Sequence, residues 1–459
     1  MEEKKSQLST LFGSTTTTEN GDFAYTGLNN PLLDILFKTD YYRVHLDELP
    51  KLVDTPKNKL FAKFIRDPRY GVGCKNIGRE LLKMVNATFE EIVMCGRGDD
   101  LWKMFENDDV LFTAVLNYIK SEIDSKSESA NLLKKWMPRF ATHNVVKDAD
   151  GKKRKKPFTK EQIHKTVLAR RIATHWGFNK QQYNKYVKCD TTEHKLSTHR
   201  DDDIKFEQVP SLAAIKYASA FARKETTKER YKKFLEDVKS GKKEIKMATS
   251  TVYDIYKNCY KEGFDADLWF DKMEKTPLSI VPIVDTSGSM IGSDDCIGKA
   301  LSIGHYLAKT STYCPNQFIT FSDYPQLIDI HGSNYNEEID NMRRADWGNS
   351  TNMGAVADLL QGLQGEMPDY IIVLSDMQWN CGSRQSVADL DAAWKAKGIK
   401  TKIIWWNFRC DTTPFKEESG HIFLSGYSPT LLKFLDANFD ADAFLDKLLE
   451  EYAKATNQG

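Results

Sequence analysis

The stretch Val281–Met290, VPIVDTSGSM, decides the fold of this chain. Its apolar, β-branched run is typical of a buried strand in a parallel sheet. The polar residues that follow, Asp285, Ser287 and Ser289, would then lie on the loop at the carboxyl end of that strand. Open α/β sheets bind ligands at this edge. The stretch therefore predicts an α/β domain and the place of its functional site.

Strands and helices alternate from Leu278 onward. The predicted strands are LSIVPIV, QFITFS, PQLIDI, YIIVLS, TKIIWWNF and HIFLS, with amphipathic helices between most of them. QFITFS and PQLIDI are close enough to form a hairpin through residues 322–324. This alternation predicts a doubly wound, Rossmann-like α/β domain over residues 277–459.

In the rest of the chain, the apolar residues have a different spacing. Residues 1–20 are polar and rich in Thr and Ser, which favours a flexible tail. From Asn30 onward, apolar residues recur three and four positions apart, which predicts an all-α, helical-repeat module over residues 21–276. The region near residues 147–160 interrupts this pattern as a basic insertion.

A formal net charge of zero hides an asymmetry between the two regions. Residues 277–459 carry an excess of ten acidic side chains, and residues 1–276 carry an equal excess of basic ones. The eight cysteines include no C-x-x-C pair, which argues against a zinc site and a disulfide framework. No segment has the roughly 18 apolar residues of a membrane helix, so no membrane association is expected. These features predict a cytoplasmic, and alternatively nuclear, protein.

Three loops at predicted strand ends offer oxygen ligands. Asp285, Ser287 and Ser289 lie on the first, Thr351 on the second, in GNSTNMG, and Asp376 on the third, in LSDMQW. Carboxylate and hydroxyl oxygens suit a hard cation, so we predict a Mg²⁺ or Mn²⁺ site. The alternative for the first loop is that its Asp and Ser side chains only cap the following helix.

These loops resemble the metal-ion-dependent adhesion site, or MIDAS, of von Willebrand factor A domains. Further stretches, among them FAKFIRDPRYGVG, FEQVPSLAAIKY and HIFLSGYSPTLL, are similar to landmarks of a poorly characterised family. Its members join a helical module like that of the Ro autoantigen (TROVE) proteins to a C-terminal A-like domain. The resemblance covers about Thr18 to Asp436.

The resemblance implies a role for each metal residue. Asp285 anchors the cation, Ser287 and Ser289 donate hydroxyl oxygens, Thr351 binds or releases the ion as its loop moves, and Asp376 lies outside the direct ligands. Ser350 is an alternative to Thr351, because GNST replaces the more usual Gly-Gly-Thr. The resemblance also implies HEAT-like helical repeats, RNA binding by the helical module, and an acidic residue of a protein partner as the last metal ligand.

The basic zone, residues 131–200, carries 18 Lys and Arg against 5 Asp and Glu. This balance fits contact with RNA phosphates. The run KKRKK is open to three interpretations: a solvated loop, a nuclear-localisation signal or a phosphate-contacting arm. The candidate RNA-binding residues are Lys152, Lys153, Arg154, Lys155, Lys156, Arg170, Arg171, Lys180 and Lys185. The aromatic residues available for base stacking, or for core packing, are Trp136, Trp176, Phe178, Tyr183 and Tyr186.

Three functions follow from these patterns. The first is a non-enzymatic protein that binds RNA through its helical module and a partner through its metal. The second is an assembly scaffold that binds only protein through the metal. The third is a metal-dependent phosphohydrolase with Asp285 as nucleophile, which the sequence disfavours because position 287 is Ser where such an enzyme needs a second Asp.

Overall fold

The structure is a computed structural model of the 459-residue chain. It describes residues 15–17, 23–25, 30–141, 145–147, 153–155, 157–189, 191–245, 247, 250–273, 275, 277–292, 295–321, 324–345, 352–362, 366–377, 384–409, 415–418, 421–427 and 441–457. Within these residues, none of the helices combines the length and the apolar character that a membrane span requires.

The first 276 residues are mainly helical. Two short hairpins are formed by β1 (Thr15–Thr17) with β2 (Phe23–Tyr25) and by β3 (Val145–Lys147) with β4 (Lys153–Lys155). The helices are α1 (Pro31–Phe37), α2 (Thr39–Tyr42), α3 (Pro56–Arg66), α4 (Lys75–Met84), α5 (Phe89–Cys95), α6 (Gly98–Phe105), α7 (Asp109–Asp124), α8 (Ala130–Trp136), α9 (Lys160–His175), α10 (Lys180–Tyr186), α11 (Thr192–Ser197), α12 (Ser211–Arg223), α13 (Glu225–Lys239), α14 (Val252–Asn258) and α15 (Ala266–Asp271). The first hairpin begins inside the segment predicted to be a tail.

Strands and helices alternate in the C-terminal region. Its elements are β5 (Ile280–Asp285), α16 (Cys296–Thr310), β6 (Gln317–Phe321), β7 (Leu327–Asp329), α17 (Tyr335–Arg343), α18 (Met353–Gln361), β8 (Tyr370–Ser375), α19 (Arg384–Ala396), β9 (Lys402–Asn407), β10 (Phe415–Glu418), β11 (His421–Ser425) and α20 (Ala441–Asn457). The prediction of a helical N-terminal region followed by an α/β domain is confirmed. HEAT-like repetition of the helices stays a prediction.

Polar side chains fix where several helices begin. The Thr159 hydroxyl accepts the Gln162 N–H at 3.2 Å, while the Gln162 side chain accepts the Thr159 N–H at 3.0 Å. Thr88 with Glu91 forms the same reciprocal pair at the start of α5. Such capping boxes satisfy N–H groups that have no partner within the helix. The sequence therefore sets these helix starts locally, before tertiary packing adds to them.

In the described part of the chain, seven strands form one mixed sheet in the order β10-β11-β9-β8-β5-β6-β7. The pairs β5–β6, β5–β8, β8–β9 and β9–β11 are parallel, and the two edge pairs, β6–β7 and β10–β11, are antiparallel. The predicted hairpin of QFITFS with PQLIDI is thereby confirmed. All six residues of β5 are buried, as expected for a strand covered on both faces.

The chain divides into two compact units. We call residues 54–68 and 78–204 the helical unit, and residues 1–53, 69–77 and 205–459 the α/β unit. The α/β unit includes helices α1, α2 and α12 to α15 beside the strands, and the domain boundary at residue 277 stays a prediction. For example, Tyr253 of α14 donates a hydrogen bond to Asp295, the residue that caps α16, at 2.5 Å.

Helix α16 packs very closely on the central strand. A methyl group added at Gly304 would lie 2.6 Å from Val284 Cγ2, which is far inside van der Waals contact. Glycine is therefore required here for packing, because any side chain would push the helix away from β5.

We expect Gly304→Ala to destabilise the protein by about 1–3 kcal/mol, the usual cost of overpacking a core, despite the better helix propensity of alanine. Chemical denaturation of the full chain measures this. Gly292→Ala is the matched control, because its added methyl would meet no atom within 4 Å. Equal stability of the two variants would contradict the assigned contact between helix and strand.

Candidate metal centre and nucleic-acid interface

Asp285 is the last residue of β5, an interior strand between β8 and β6, and lies at the carboxyl edge of the parallel strands. Its side chain is fully buried, with 0% exposure. One carboxylate oxygen accepts the Ser287 N–H at 2.9 Å, and the other accepts the Ser375 hydroxyl at 2.5 Å. These two hydrogen bonds fix the direction of the carboxylate.

Two serine hydroxyls and a second carboxylate complete the cluster. Ser287 Oγ and Ser289 Oγ are 3.0 Å apart, and the Ser289 hydroxyl donates to Asp376 at 3.3 Å. Asp376 directly follows β8, the strand beside β5. Ser287 and Asp376 are buried, whereas Ser289 is exposed. The cluster therefore has a buried base and one side that solvent reaches.

Burial dominates the electrostatics of this cluster. The pKa of Asp285 is raised to about 7, mainly because the carboxyl group is removed from water; the neighbouring Asp376 carboxylate adds to the increase, and the hydrogen bonds from Ser375 and Ser287 oppose it. A carboxyl group in this position gains stability from any cation that is bound beside it.

The backbone after Asp376 is in an uncommon conformation. Met377 has φ of +61°, in the left-handed region that residues other than glycine rarely occupy. Its N–H donates to the Ser375 hydroxyl at 2.9 Å, so the same hydroxyl that contacts Asp285 also fixes this turn. Strained backbone of this kind is concentrated at functional sites.

The donor set fits a hard divalent cation. Asp285, Ser287, Ser289 and Asp376, all predicted from the sequence, lie together and offer only oxygen atoms. Thr286, which is 2% exposed, has a hydroxyl without a hydrogen-bond partner among the described residues. No group of three or more His, Cys, Asp or Glu side chains suited to a metal occurs in the described part of the chain, so this cluster depends on its serines.

The sequence analysis did not include one residue of the cluster, and one predicted ligand lies outside the described residues. Ser375 was missed, although it directly precedes Asp376 at the end of the same strand and its hydroxyl contacts Asp285. Thr351 and its alternative Ser350 lie outside the described residues. Their part in the site stays a prediction.

Two of the predicted RNA-binding residues line one cavity of the helical unit. The cavity has a volume of about 490 Å³, and exposed Arg170 and Lys180 lie at its surface. Three phenylalanines in its wall are half-buried: Phe140, Phe158 and Phe178. Cations beside accessible aromatic faces are the arrangement that single-stranded nucleic acids bind.

Arg171 contacts other residues of the helical unit and, unlike Arg170, does not line the cavity. It donates to the Glu106 carbonyl at 2.9 Å, pairs with Asp109 at 2.6 Å and covers the Phe112 ring at 4.1 Å. These contacts hold α9 to the neighbouring helices, so we assign Arg171 a structural role. Lys185 is exposed and does not line the cavity. Lys152 and Lys156 lie outside the described residues, and only the backbone of residues 153–155 is described.

Four of the five predicted stacking aromatics contact other residues of the helical unit. Trp176 donates to the Leu116 carbonyl at 3.2 Å, Tyr183 to the Pro138 carbonyl at 2.9 Å, and Tyr186 to Asp124 at 2.7 Å. The Arg97 guanidinium covers Trp136 at 3.4 Å. Trp176 and Tyr183 are buried, which favours core packing for these two, whereas Trp136 and Tyr186 are partly exposed. Phe178 is the one of the five that lines the cavity.

Comparison with known proteins divides the chain at the same place as its secondary structure. Two family models match parts of the chain. Residues 150–277 match the domain of unknown function DUF2828, and residues 279–458 match the domain of unknown function DUF7788. The two matches lie on either side of residue 278, and the description of each names no function.

One curated relative is the uncharacterized protein L728 of Acanthamoeba polyphaga mimivirus. It is 28% identical over 345 residues, which span 64% of this chain and 59% of the relative. The match therefore covers little more than half of the relative's length.

Two solved structures show weak similarity to the fold. The crystal structure of the Deinococcus radiodurans RO (RSR) protein covers 92% of this chain and 94% of that chain, with a TM-score of 0.38 and 12% identity. The proximal thread matrix protein 1 from the mussel byssus covers 37% of this chain and 49% of that chain, with a TM-score of 0.26 and 14% identity. At these TM-scores neither similarity establishes a shared fold or a shared ligand.

The buried Asp285 carboxylate gives a test that is independent of any ligand. Its pKa in the folded state, about 7, is above its ordinary value of 3.8, so its ionisation weakens folding as pH rises between these values. In EDTA at pH 8, Asp285→Asn should therefore melt higher than wild type, by a few degrees for each kcal/mol gained.

The same difference should shrink as the pH falls towards 5, because the wild-type carboxyl is then protonated. Differential scanning calorimetry of the full chain measures both effects, and Asp369→Asn, an exposed aspartate at the other end of β8, is the control. A lower melting temperature for Asp285→Asn at pH 8 would show that the carboxylate stabilises the fold even without a cation.

Proposed function

We propose that this chain is a non-enzymatic binding protein with two kinds of site. Its α/β unit binds Mg²⁺ or Mn²⁺ at the cluster of Asp285, Ser287, Ser289 and Asp376, and its helical unit binds single-stranded RNA. The observation that carries the proposal is the convergence of this oxygen cluster at the carboxyl ends of β5 and β8.

The metal would be held by few protein atoms. Asp285 and the two serines supply direct oxygen ligands, and Asp376, which accepts a hydrogen bond from Ser289, orients that hydroxyl. Thr351 is proposed to add a further hydroxyl. Such a set leaves coordination positions to water, and when bound the cation supplies a Lewis-acidic position that an acidic side chain of a partner can fill.

The exposed side of the cluster supports a partner of that kind. Ser289 is accessible, whereas Asp285 and Ser287 are buried beneath it. A partner carboxylate reaching the cation from this side would neutralise charge in a site where burial makes electrostatic interactions strong. An acidic residue of a protein is the partner that this chemistry favours.

The RNA proposal depends on the cavity of Arg170 and Lys180. Thr166, Arg170, Ala173 and Thr174 follow one another at helical spacing, so a single face of α9 forms one wall. Lys180 Nζ lies 5.4 Å from the centre of the Phe140 ring, so charge and ring are adjacent. A phosphate at the cations and a base against a phenylalanine face would use both.

Catalysis is not part of the proposal. A phosphohydrolase with Asp285 as nucleophile needs a second acid two positions later. That position is Ser287, and its hydroxyl lies 3.0 Å from the Ser289 hydroxyl instead. Metal-dependent phosphoester hydrolysis that Asp285→Asn removes would favour the enzyme.

The metal site predicts stabilisation by divalent cations. Millimolar Mg²⁺ or Mn²⁺ should raise the melting temperature of the full chain, because a ligand that binds only the folded state stabilises it by mass action. Asp285→Ala should abolish the increase, and Asp369→Ala should keep it. An identical increase in both variants would indicate binding elsewhere.

The proposed RNA site predicts that charge variants and stacking variants differ in the salt dependence of RNA binding. Replacing Arg170 and Lys180 with Gln should weaken binding of single-stranded RNA and reduce the log–log salt slope by about 0.7 for each lost phosphate contact. Phe178→Ala should weaken binding by about 1–3 kcal/mol without changing that slope. The control for charge is replacement of the exposed Lys51 and Lys242 with Gln.

Filter binding of the full chain measures these effects. A separate variant with Gln at residues 152–156 tests the basic run. If the log–log salt slope of RNA binding becomes shallower, the run is a phosphate-contacting arm. If RNA binding is unchanged, the run is a solvated loop. Retention of no RNA at about 50 mM salt, where phosphate contacts are strongest, would leave the protein-binding scaffold as the function of the chain.

A further inference from the structure

A second cavity, of about 610 Å³, lies within the α/β unit. Its walls come from α13, from the segment that leads into α15, and from residues at the start of α17. The volume is in the range of roughly 300–1,000 Å³ that small-ligand sites occupy. We call it the α13 cavity.

Two residues that line the α13 cavity each have a buried polar atom without a hydrogen-bond partner among the described residues. The first is the hydroxyl of Tyr231, a residue only 4% exposed and packed at 5.1 Å against the ring of Phe221. The second is Oδ1 of Asn336, whose Nδ2 donates to the Cys259 carbonyl at 2.9 Å. Leaving a buried polar group unsatisfied costs about 1–3 kcal/mol, so both atoms favour a ligand that completes their bonding.

Charged residues of both signs also line the cavity. Lys228 and Lys232, one helical turn apart on α13, are exposed, and Lys232 makes no ion pair with any described residue. One carboxylate, Glu262, comes from the segment that leads into α15, and another, Asp267, from the first turn of α15, where its Oδ1 also accepts the Tyr335 N–H at 2.7 Å. The Lys239–Asp265 pair, with 2.7 Å between its atoms, is internally neutralised. A ligand with an anionic group and several hydroxyl or N–H donors would match this lining.

The α13 cavity is separate from the metal cluster. Asp329, the last residue of β7, pairs with Gln317, the first residue of β6, so the chain reaches α17 from the amino edge of the parallel strands. Asp285 and Asp376 lie at the opposite, carboxyl edge. A ligand of the α13 cavity therefore does not complete the metal site.

We propose that the α13 cavity binds a ribonucleotide. The phosphate lies at Lys228 and Lys232, since ammonium groups donate to phosphate oxygens. The ribose hydroxyls donate to Glu262 and Asp267, the role that carboxylates have towards ribose in nucleotide-binding folds. The base edge, which offers neighbouring donors and acceptors, completes the bonding of Tyr231 and Asn336.

The proposal does not depend on the RNA-binding cavity of the helical unit, because no residue is shared between the two. The same chemistry can come from a free ribonucleoside monophosphate or from the terminal nucleotide of an RNA. Burial raises the pKa of the Tyr231 hydroxyl, so this group stays protonated and can donate over the whole physiological range.

Isothermal titration of the full chain with AMP, GMP, CMP and UMP tests the inference, and inorganic phosphate and ribose 5-phosphate are the partial probes. At least one monophosphate should bind at least tenfold more tightly than ribose 5-phosphate, because only the nucleotide reaches Tyr231 and Asn336. Binding of no nucleotide at millimolar concentration, or equal binding of ribose 5-phosphate, would overturn the proposal.

Tyr231→Phe is the decisive variant. It removes one oxygen atom that has no partner in the free protein, so thermal stability without ligand should be unchanged or higher, while nucleotide affinity falls about tenfold, the effect of one hydrogen bond. Lys232→Gln should also lose affinity, and Lys233→Gln, which is exposed but outside the cavity, should not. Unchanged affinity in Tyr231→Phe would overturn the assigned site.

Competition separates the two sources of the nucleotide. A short RNA whose 3′ end carries the preferred nucleotide should displace the monophosphate in a Phe178→Ala background if the site takes RNA ends. If displacement fails while the monophosphate binds, the site takes free nucleotides. Both results support ribonucleotide binding at the α13 cavity. Loss of RNA binding in the Phe178→Ala variant would contradict only the proposed RNA site of the helical unit, because Phe178 does not line the α13 cavity.

Discussion

The fully buried carboxylate of Asp285 is the constraint on which the α/β unit depends. Transfer of an unpaired carboxylate out of water costs far more than most single interactions in a protein provide. Two hydrogen-bond donors contact this carboxylate, the Ser287 N–H and the Ser375 hydroxyl, and they come from different strand ends. These hydrogen bonds hold the carboxylate but do not neutralise it, since its pKa stays raised to about 7.

In the helical unit, two buried carboxylates are instead paired with cationic side chains. Asp100 is also fully buried, yet it pairs with Arg66 at 2.5 Å and with Arg79 at 2.7 Å. Asp99 contacts Lys103 at 2.5 Å and Arg97 at 3.1 Å. Each acid there has cations of the same chain beside it, and loss of one partner would leave an uncompensated buried charge.

The surroundings of Asp285 differ from those of Asp99 and Asp100. Arginine and lysine side chains pair with the buried Asp99 and Asp100. Around Asp285 the described neighbours are hydroxyls and a second carboxylate, an arrangement that lowers the stability of the metal-free protein. Such a local loss of stability is typical of sites kept for binding.

Much of the fold could be predicted because its signals are local. The β-branched run of β5 and the alternation after it identified the parallel sheet, and capping residues such as Thr159 marked helix starts. Short edge elements were harder: β10 was not predicted, because its strand Phe415–Glu418 carries mainly charged residues and owes its conformation to pairing with β11. The assignment of α12 to α15 to the α/β unit was also missed, because it depends on contacts such as Tyr253 with Asp295 that are distant in sequence.

The candidate RNA-binding residues show what the sequence alone could not predict. Arg170 and Arg171 are adjacent and chemically identical, and the basic balance of the zone predicted a role in RNA binding for both. Successive residues of an α-helix project about 100° apart, since 3.6 residues complete a turn. One arginine therefore lines the cavity, while the next reaches Asp109 and Phe112. Phe140 and Phe158 were missed for a related reason: one precedes and one follows the basic run, and only the fold brings them to the same face of α9.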